Sequence, residues 1–195
     1  MSQLLSEIAA YPYLLQTLQI TSIITMLVVS GIALSLYTWV IPLLRLAPPS
    51  TRVAQFILTI DKGTAYLMPT TRVMALKLLA STALTYFHPD SRVQGLWGWN
   101  AIAMAILGAA APWEINLIFP INDEIIAMAD GDGKDCKGSS EGKRKDDSAV
   151  KWSEGKVKRL EVLLNRWQER HTYRIVAPFV AGVITLGVLV AGRER

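Results

Sequence analysis

Membrane-length apolar runs constrain this chain more than any other feature. The longest covers residues 15–44, broken only by Gln16, Gln19 and small polar side chains. A run of this kind crosses the roughly 30 Å hydrocarbon core of a bilayer as a helix, because a helix satisfies its own backbone hydrogen bonds. Three further apolar stretches follow, at about 69–87, 96–119 and 170–191. The expected fold is all-α: a four-helix transmembrane bundle forming one integral membrane domain over residues 1–195. Ser30, Gly31 and Ser35 in the first run suit close helix packing. Trp39, Trp97 and Trp99 sit near span ends, where an aromatic belt meets the interface. Glu7 precedes the first run with no Lys or Arg and no small-residue cleavage site, so the run is expected to be retained rather than removed as a leader.

The connecting segments are more polar. Residues 1–14 read as a short amphipathic or irregular lead. Residues 51–68 have helical apolar spacing for about three turns and then Asp61, Lys62 and Gly63, which predicts a short interfacial helix ending in a turn. Lys77, inside the short second run, is expected to snorkel to the interface, or else to face a polar cavity. Pro120 is expected to end or kink the third span. Residues 130–155 contain DGDGKDCKGSSEGKRKDD and read as a disordered polar loop. DGDGKD resembles part of a calcium loop, but no Glu follows at the twelfth position of a fitting frame, so no calcium site is expected. An amphipathic helix over 156–168 then feeds the last span. Four spans put both termini on one side, and the positive-inside tendency places the two basic loops in the cytosol. Arg45, Lys62, Asn122, Asp123, His171 and Arg174 are then expected to gather at one mouth of the bundle.

The inventory excludes several chemistries. The net charge is +4, with basic residues at span ends or in a mixed-charge loop, which gives no basis for nucleic-acid binding. A single cysteine, Cys136, rules out an intrachain disulfide and a CxxC pair. The two histidines, His88 and His171, fall at opposite ends of the expected bundle. Separated by about 30 Å of hydrocarbon, they cannot share a metal, so no metal site is expected. No Gly-rich dinucleotide fingerprint, P-loop or nucleophile elbow is present. Any catalysis must rest on ordinary side chains and the substrate.

The best candidates lie where the last helix enters the apolar region. Trp167, His171 and Arg174 stand at i, i+4 and i+7, on one face of a helix. His171 is expected to titrate near neutrality and is a candidate base, or else it anchors a helix end at the interface. Arg174 is a candidate oxyanion holder, or else a headgroup contact. Asn122 and Asp123 orient the base or substrate, or form a helix C-terminal turn. Glu114 is an intramembrane carboxylate and so a functional candidate, or else a partner of Lys77.

Several stretches also carry a resemblance: WQERHTYR before the last run, LIFPINDEI at the exit of the third, DKG at 61–63, and Ser30/Gly31/Ser35 in a first run ending in Pro42. In their order and spacing the chain resembles the DUF1772 family of small four-span membrane proteins. Within it, the chain is similar to the fungal anthrone oxygenases of aromatic polyketide pathways. The resemblance covers most of the chain, with 130–155 outside it as an insertion, and offers no match for Glu114. It implies oxidation of an anthrone to an anthraquinone by O2, without a dedicated cofactor, in a multi-pass endomembrane protein. The implied partners are the anthrone, O2 and membrane lipid, with homo-oligomerisation left open. His171 would abstract the proton, Arg174 would hold the oxyanion, and Asn122 and Asp123 would orient His171 or bond phenolic hydroxyls. Trp167 would stack on the substrate rings, with Glu114 as a further substrate contact. A non-catalytic four-span scaffold and a small metabolite transporter are the competing readings.

Overall fold

A computed structural model describes residues 12–134 and 152–193, which are helical almost throughout and contain no strand. The elements are α1 (Pro12–Ser35), α2 (Ile41–Leu44), α3 (Pro49–Tyr86), α4 (Ser91–Gln94), α5 (Trp97–Gly108), α6 (Ala110–Trp113), α7 (Phe119–Lys134) and α8 (Glu154–Arg193). Two π-helical turns, Leu36–Val40 and Glu114–Ile118, join α1 to α2 and α6 to α7. The chain therefore forms four rods: α1–α2, α3, α4–α7 and α8. The first packs on the second and fourth, and the third packs on the second and fourth.

Tyr13–Leu44, Ser91–Ala129 and Glu154–Arg193 are long and apolar enough to cross a membrane. The second rod is of comparable length, 38 residues or roughly 57 Å, but carries Arg52, Asp61, Lys62, Arg72 and Lys77. This corrects the expectation of a separate interfacial helix followed by a span at 69–87. Asp61, Lys62, Gly63 and Pro69 all lie inside one continuous helix. The physical reason is that this helix is anchored at both ends. Val53 and Phe56 are buried at one end, and Met74, Leu78 and Leu84 toward the other, so the middle is held with no fully buried residue of its own.

Helix also reaches into both edges of the segment 130–155 that was expected to be a disordered loop. Helix continues through Lys134 and resumes at Glu154. Residues 135–151 and the lead at 1–11 lie outside the described residues. The fourth rod is one 40-residue helix from Glu154 to Arg193, so the expected amphipathic feeder and last span are a single element. Pro178 lies within it. Proline removes the N–H that would bond to the Arg174 carbonyl. One residue on, the Ser30 hydroxyl donates to the Ile175 carbonyl at 2.8 Å, tying the first rod to the fourth near this break.

The interior is layered along the bundle. One apolar cluster contains Ile41, Leu44, Val53, Phe56, Ile118, Ile121, Ile125, Leu160, Leu163, Leu164 and Trp167. A second contains Met26, Met74, Leu78, Ala103 and Ala181. Leu15 and Leu84 form a third, at the other end. Residues 57–73 of the second rod are never fully buried, and they span the gap between the first two clusters. That gap is where the bundle is not filled by its own side chains.

Candidate active site

Both π turns have a proline next to their closing residue. In the first, the Ile41 N–H bonds to the Leu36 carbonyl, and Pro42 follows. The next bond of this kind would run from residue 42 to the Tyr37 carbonyl, and Pro42 has no N–H to give. The Gln168 side chain donates to the Tyr37 carbonyl instead, at 2.9 Å. In the second, the Phe119 N–H bonds to the Glu114 carbonyl, and Pro120 follows. Here the Arg170 guanidinium donates to the Leu117 carbonyl at 2.8 Å. Trp113 Nε1 returns a bond to the Arg170 carbonyl at 3.1 Å. Pro120 thus neither ends nor breaks the third rod: the π turn absorbs it, and the Arg170 guanidinium ties that turn to the fourth rod.

One stretch of the fourth rod therefore holds two neighbours in place. Gln168 faces the first rod, and Arg170 faces the third. The Trp167, His171 and Arg174 side chains point between them, into a cavity of about 430 Å³. This volume falls within the range of small-molecule sites, roughly 300–1,000 Å³. Val29, Ala33, Trp167, His171, Ala177 and Pro178 make a fully buried back wall from the first and fourth rods. The front is different. Thr64, Met68, Thr71 and Arg72 of the second rod and Ala111 and Phe119 of the third line the cavity and are also exposed. The cavity therefore opens where the second and third rods face each other. Most of the lining is apolar, with few polar groups, as is usual for a small-molecule site.

His171 is fully buried, and neither ring nitrogen has a hydrogen-bond partner among the described residues. The Ala33 backbone lies beside the ring, outside hydrogen-bonding geometry. Trp167 stacks on the imidazole, with ring centroids 4.3 Å apart and planes 20° from parallel. Trp167 is fixed in turn: its Nε1 donates to Asn122 Oδ1 at 2.9 Å, and Phe56 meets it edge-on at 5.5 Å. Asn122 thus acts on His171 through Trp167 and not by a direct bond. With His171 on its face and 3% exposure, Trp167 is better placed to hold the imidazole than to stack on a substrate.

Arg174 Nε donates to Glu114 Oε1 at 2.7 Å, and both side chains are about a quarter exposed and line the cavity. Glu114 sits on the second π turn, so the turn aims the carboxylate at the fourth rod. Its partner is Arg174, not Lys77, which is half-buried and does not line the cavity. Tyr173, beside Arg174, stacks on Trp113 at 5.0 Å and donates to the Ile106 carbonyl at 2.8 Å, tying this turn to the third rod.

The expected gathering at one mouth is only partly met. Asn122, His171, Arg174, Trp167 and Glu114 line one cavity. Asp123 is exposed and does not line it, since neighbouring helical residues point about 100° apart. Lys62 is exposed and also outside the lining. Arg45 bonds the Asn165 and Gln168 side chains, and Arg52 pairs with Glu161 and caps the Arg45 and Ala47 carbonyls. Those two arginines close the chain reversal between the first two rods, away from the cavity. Gln168 and Arg170 were missed as positioning residues. For Gln168 the signal was present in Pro42, which leaves the Tyr37 carbonyl open to a side-chain donor; for Arg170 the sequence offered no comparable signal.

Among known proteins, the family model described as anthrone oxygenase matches residues 56–184 of this chain. The match includes every cavity-lining residue named here except Val29 and Ala33. No curated protein and no solved structure matches.

Proposed function

Because the chain belongs to the anthrone oxygenase family, we propose that it oxidises an anthrone to the anthraquinone with O2 in polyketide biosynthesis, as a multi-pass protein of an endomembrane. The observation that carries this reading is a buried imidazole whose two nitrogens have no hydrogen-bond partner among the described residues, on the wall of an apolar cavity. The anthrone methylene is flanked by two aromatic rings and conjugated to a ketone, so it is acidic. His171 takes one of its protons, leaving an electron-rich anthranolate. Arg174, held by Glu114, stabilises the charge that develops on the ketone oxygen. The anthranolate gives one electron to O2, and the resulting radical and superoxide combine at the same carbon. Protonation by His171 yields a hydroperoxide and restores the free base. Loss of the remaining hydrogen on that carbon, with cleavage of the O–O bond, releases water and leaves the second carbonyl. One anthrone and one O2 give one quinone and one water. The protein supplies a base, an oxyanion partner and a largely apolar cavity.

The test is purified protein in detergent, supplied with anthrone in air. The expected result is quinone appearing well above the spontaneous rate, with one O2 consumed per quinone. Quinone formation equal to buffer alone would leave the scaffold and transporter readings standing in its place.

A further inference from the structure

The cavity carries one charge that the chemistry above does not use. Its charged lining residues are Arg72, Glu114 and Arg174, beside the titratable His171. Glu114 and Arg174 pair with each other. Arg72 makes no ion pair among the described residues, and its side-chain contact is the Met68 sulfur at 3.9 Å. Among the described residues, Arg72 is thus the cavity's one cation without an ion-pair partner. Arg72 is exposed on the second rod, at the open front, whereas His171 is fully buried on the back wall.

This arrangement sorts a substrate by polarity. An ionised carboxylate pushed to the back wall would lose its hydration among apolar side chains, at a cost far larger than any contact there returns. At the front it meets a guanidinium, whose planar fork suits a carboxylate, while staying partly hydrated. The apolar rings then occupy the interior, with the carbon to be oxidised toward His171.

We propose that Arg72 is a specificity-determining residue, and that the preferred substrate is an aromatic tricycle bearing an acidic substituent, a carboxylate, remote from the carbon that is oxidised. This deepens the reading of the same cavity as an anthrone site and rests on it. Arg72 acts on binding and orientation and takes no part in the proton transfer.

The experiment measures binding, not turnover. Purified full-length protein in an uncharged detergent is titrated with anthraquinone-2-carboxylate and with the neutral anthraquinone-2-carboxamide, followed by quenching of tryptophan fluorescence. The wild type is expected to prefer the carboxylate by roughly 10- to 100-fold, the range for a charge-assisted hydrogen bond. Arg72→Gln is expected to bring the ratio to within about twofold of one, and Arg72→Lys to restore part of it. Equal affinities in the wild type, or a preference that survives in Arg72→Gln, would overturn the proposal. So would equal loss of both ligands in Arg72→Gln, which would make Arg72 a structural residue. A further arm adds an anionic phospholipid. If that erases the preference, Arg72 belongs to lipid phosphate and the proposal falls. Binding of both ligands with no preference leaves the anthrone reading intact, whereas binding of neither removes both.

Discussion

Alanine at position 171 is expected to lower enzymatic anthrone oxidation by about 10²–10⁴-fold, the usual contribution of a positioned general base. Quinone formation should then approach the spontaneous rate. The expectation follows from what surrounds the ring. One face lies on Trp167 at 4.3 Å, the side chain is fully buried, and neither nitrogen has a hydrogen-bond partner among the described residues. A neutral imidazole in that state has one lone pair to accept a proton. Removing the ring also leaves a hole beside Trp167, so folding needs a separate readout. His171→Gln fills more of the space and keeps a polar tip without a usable base. Both variants should lose activity, and His171→Gln should stay closer to the wild-type melting temperature. Wild-type rates in a folded His171→Gln protein would remove the imidazole from the reaction.

Arg174→Gln is expected to lower kcat by roughly 10²–10³-fold, comparable to the loss of one oxyanion donor in other acid–base sites. KM should change much less, because the charge on the ketone oxygen develops only as the proton leaves. Glu114→Gln provides the contrast. It keeps the arginine charge but loosens a 2.7 Å contact, so its effect should be smaller. Initial rates of quinone appearance for both variants, across anthrone concentration, check the ordering. If Glu114→Gln proves the more damaging, the carboxylate and not the guanidinium acts on the substrate.

Much of this was legible in the sequence, for physical reasons. Apolar runs of membrane length imply helices because unsatisfied backbone groups are not tolerated in hydrocarbon. The i, i+4, i+7 spacing placed Trp167, His171 and Arg174 on one face, and that face lines the cavity. Other features depended on packing. The Glu114–Arg174 pair joins two rods and a π turn, and no spacing within one segment encodes it. Asp123 was grouped with Asn122, but it points about 100° away around the helix and is exposed outside the cavity. Gly63, Pro69 and the neighbouring charges read as a break because local propensity disfavours helix there. Burial on both sides, from Val53 and Phe56 to Met74 and Leu78, overrides it. The same absence of burial in residues 57–73 that hid the helix also makes room for the cavity.

Proton removal can be separated from oxidation by excluding O2. In deuterated buffer under argon, the wild-type protein should speed exchange of the anthrone methylene hydrogens well beyond the buffer rate, as read by proton NMR, while no quinone forms. A wild-type protein that leaves methylene exchange at the buffer rate would contradict the claim that this cavity works by supplying a base.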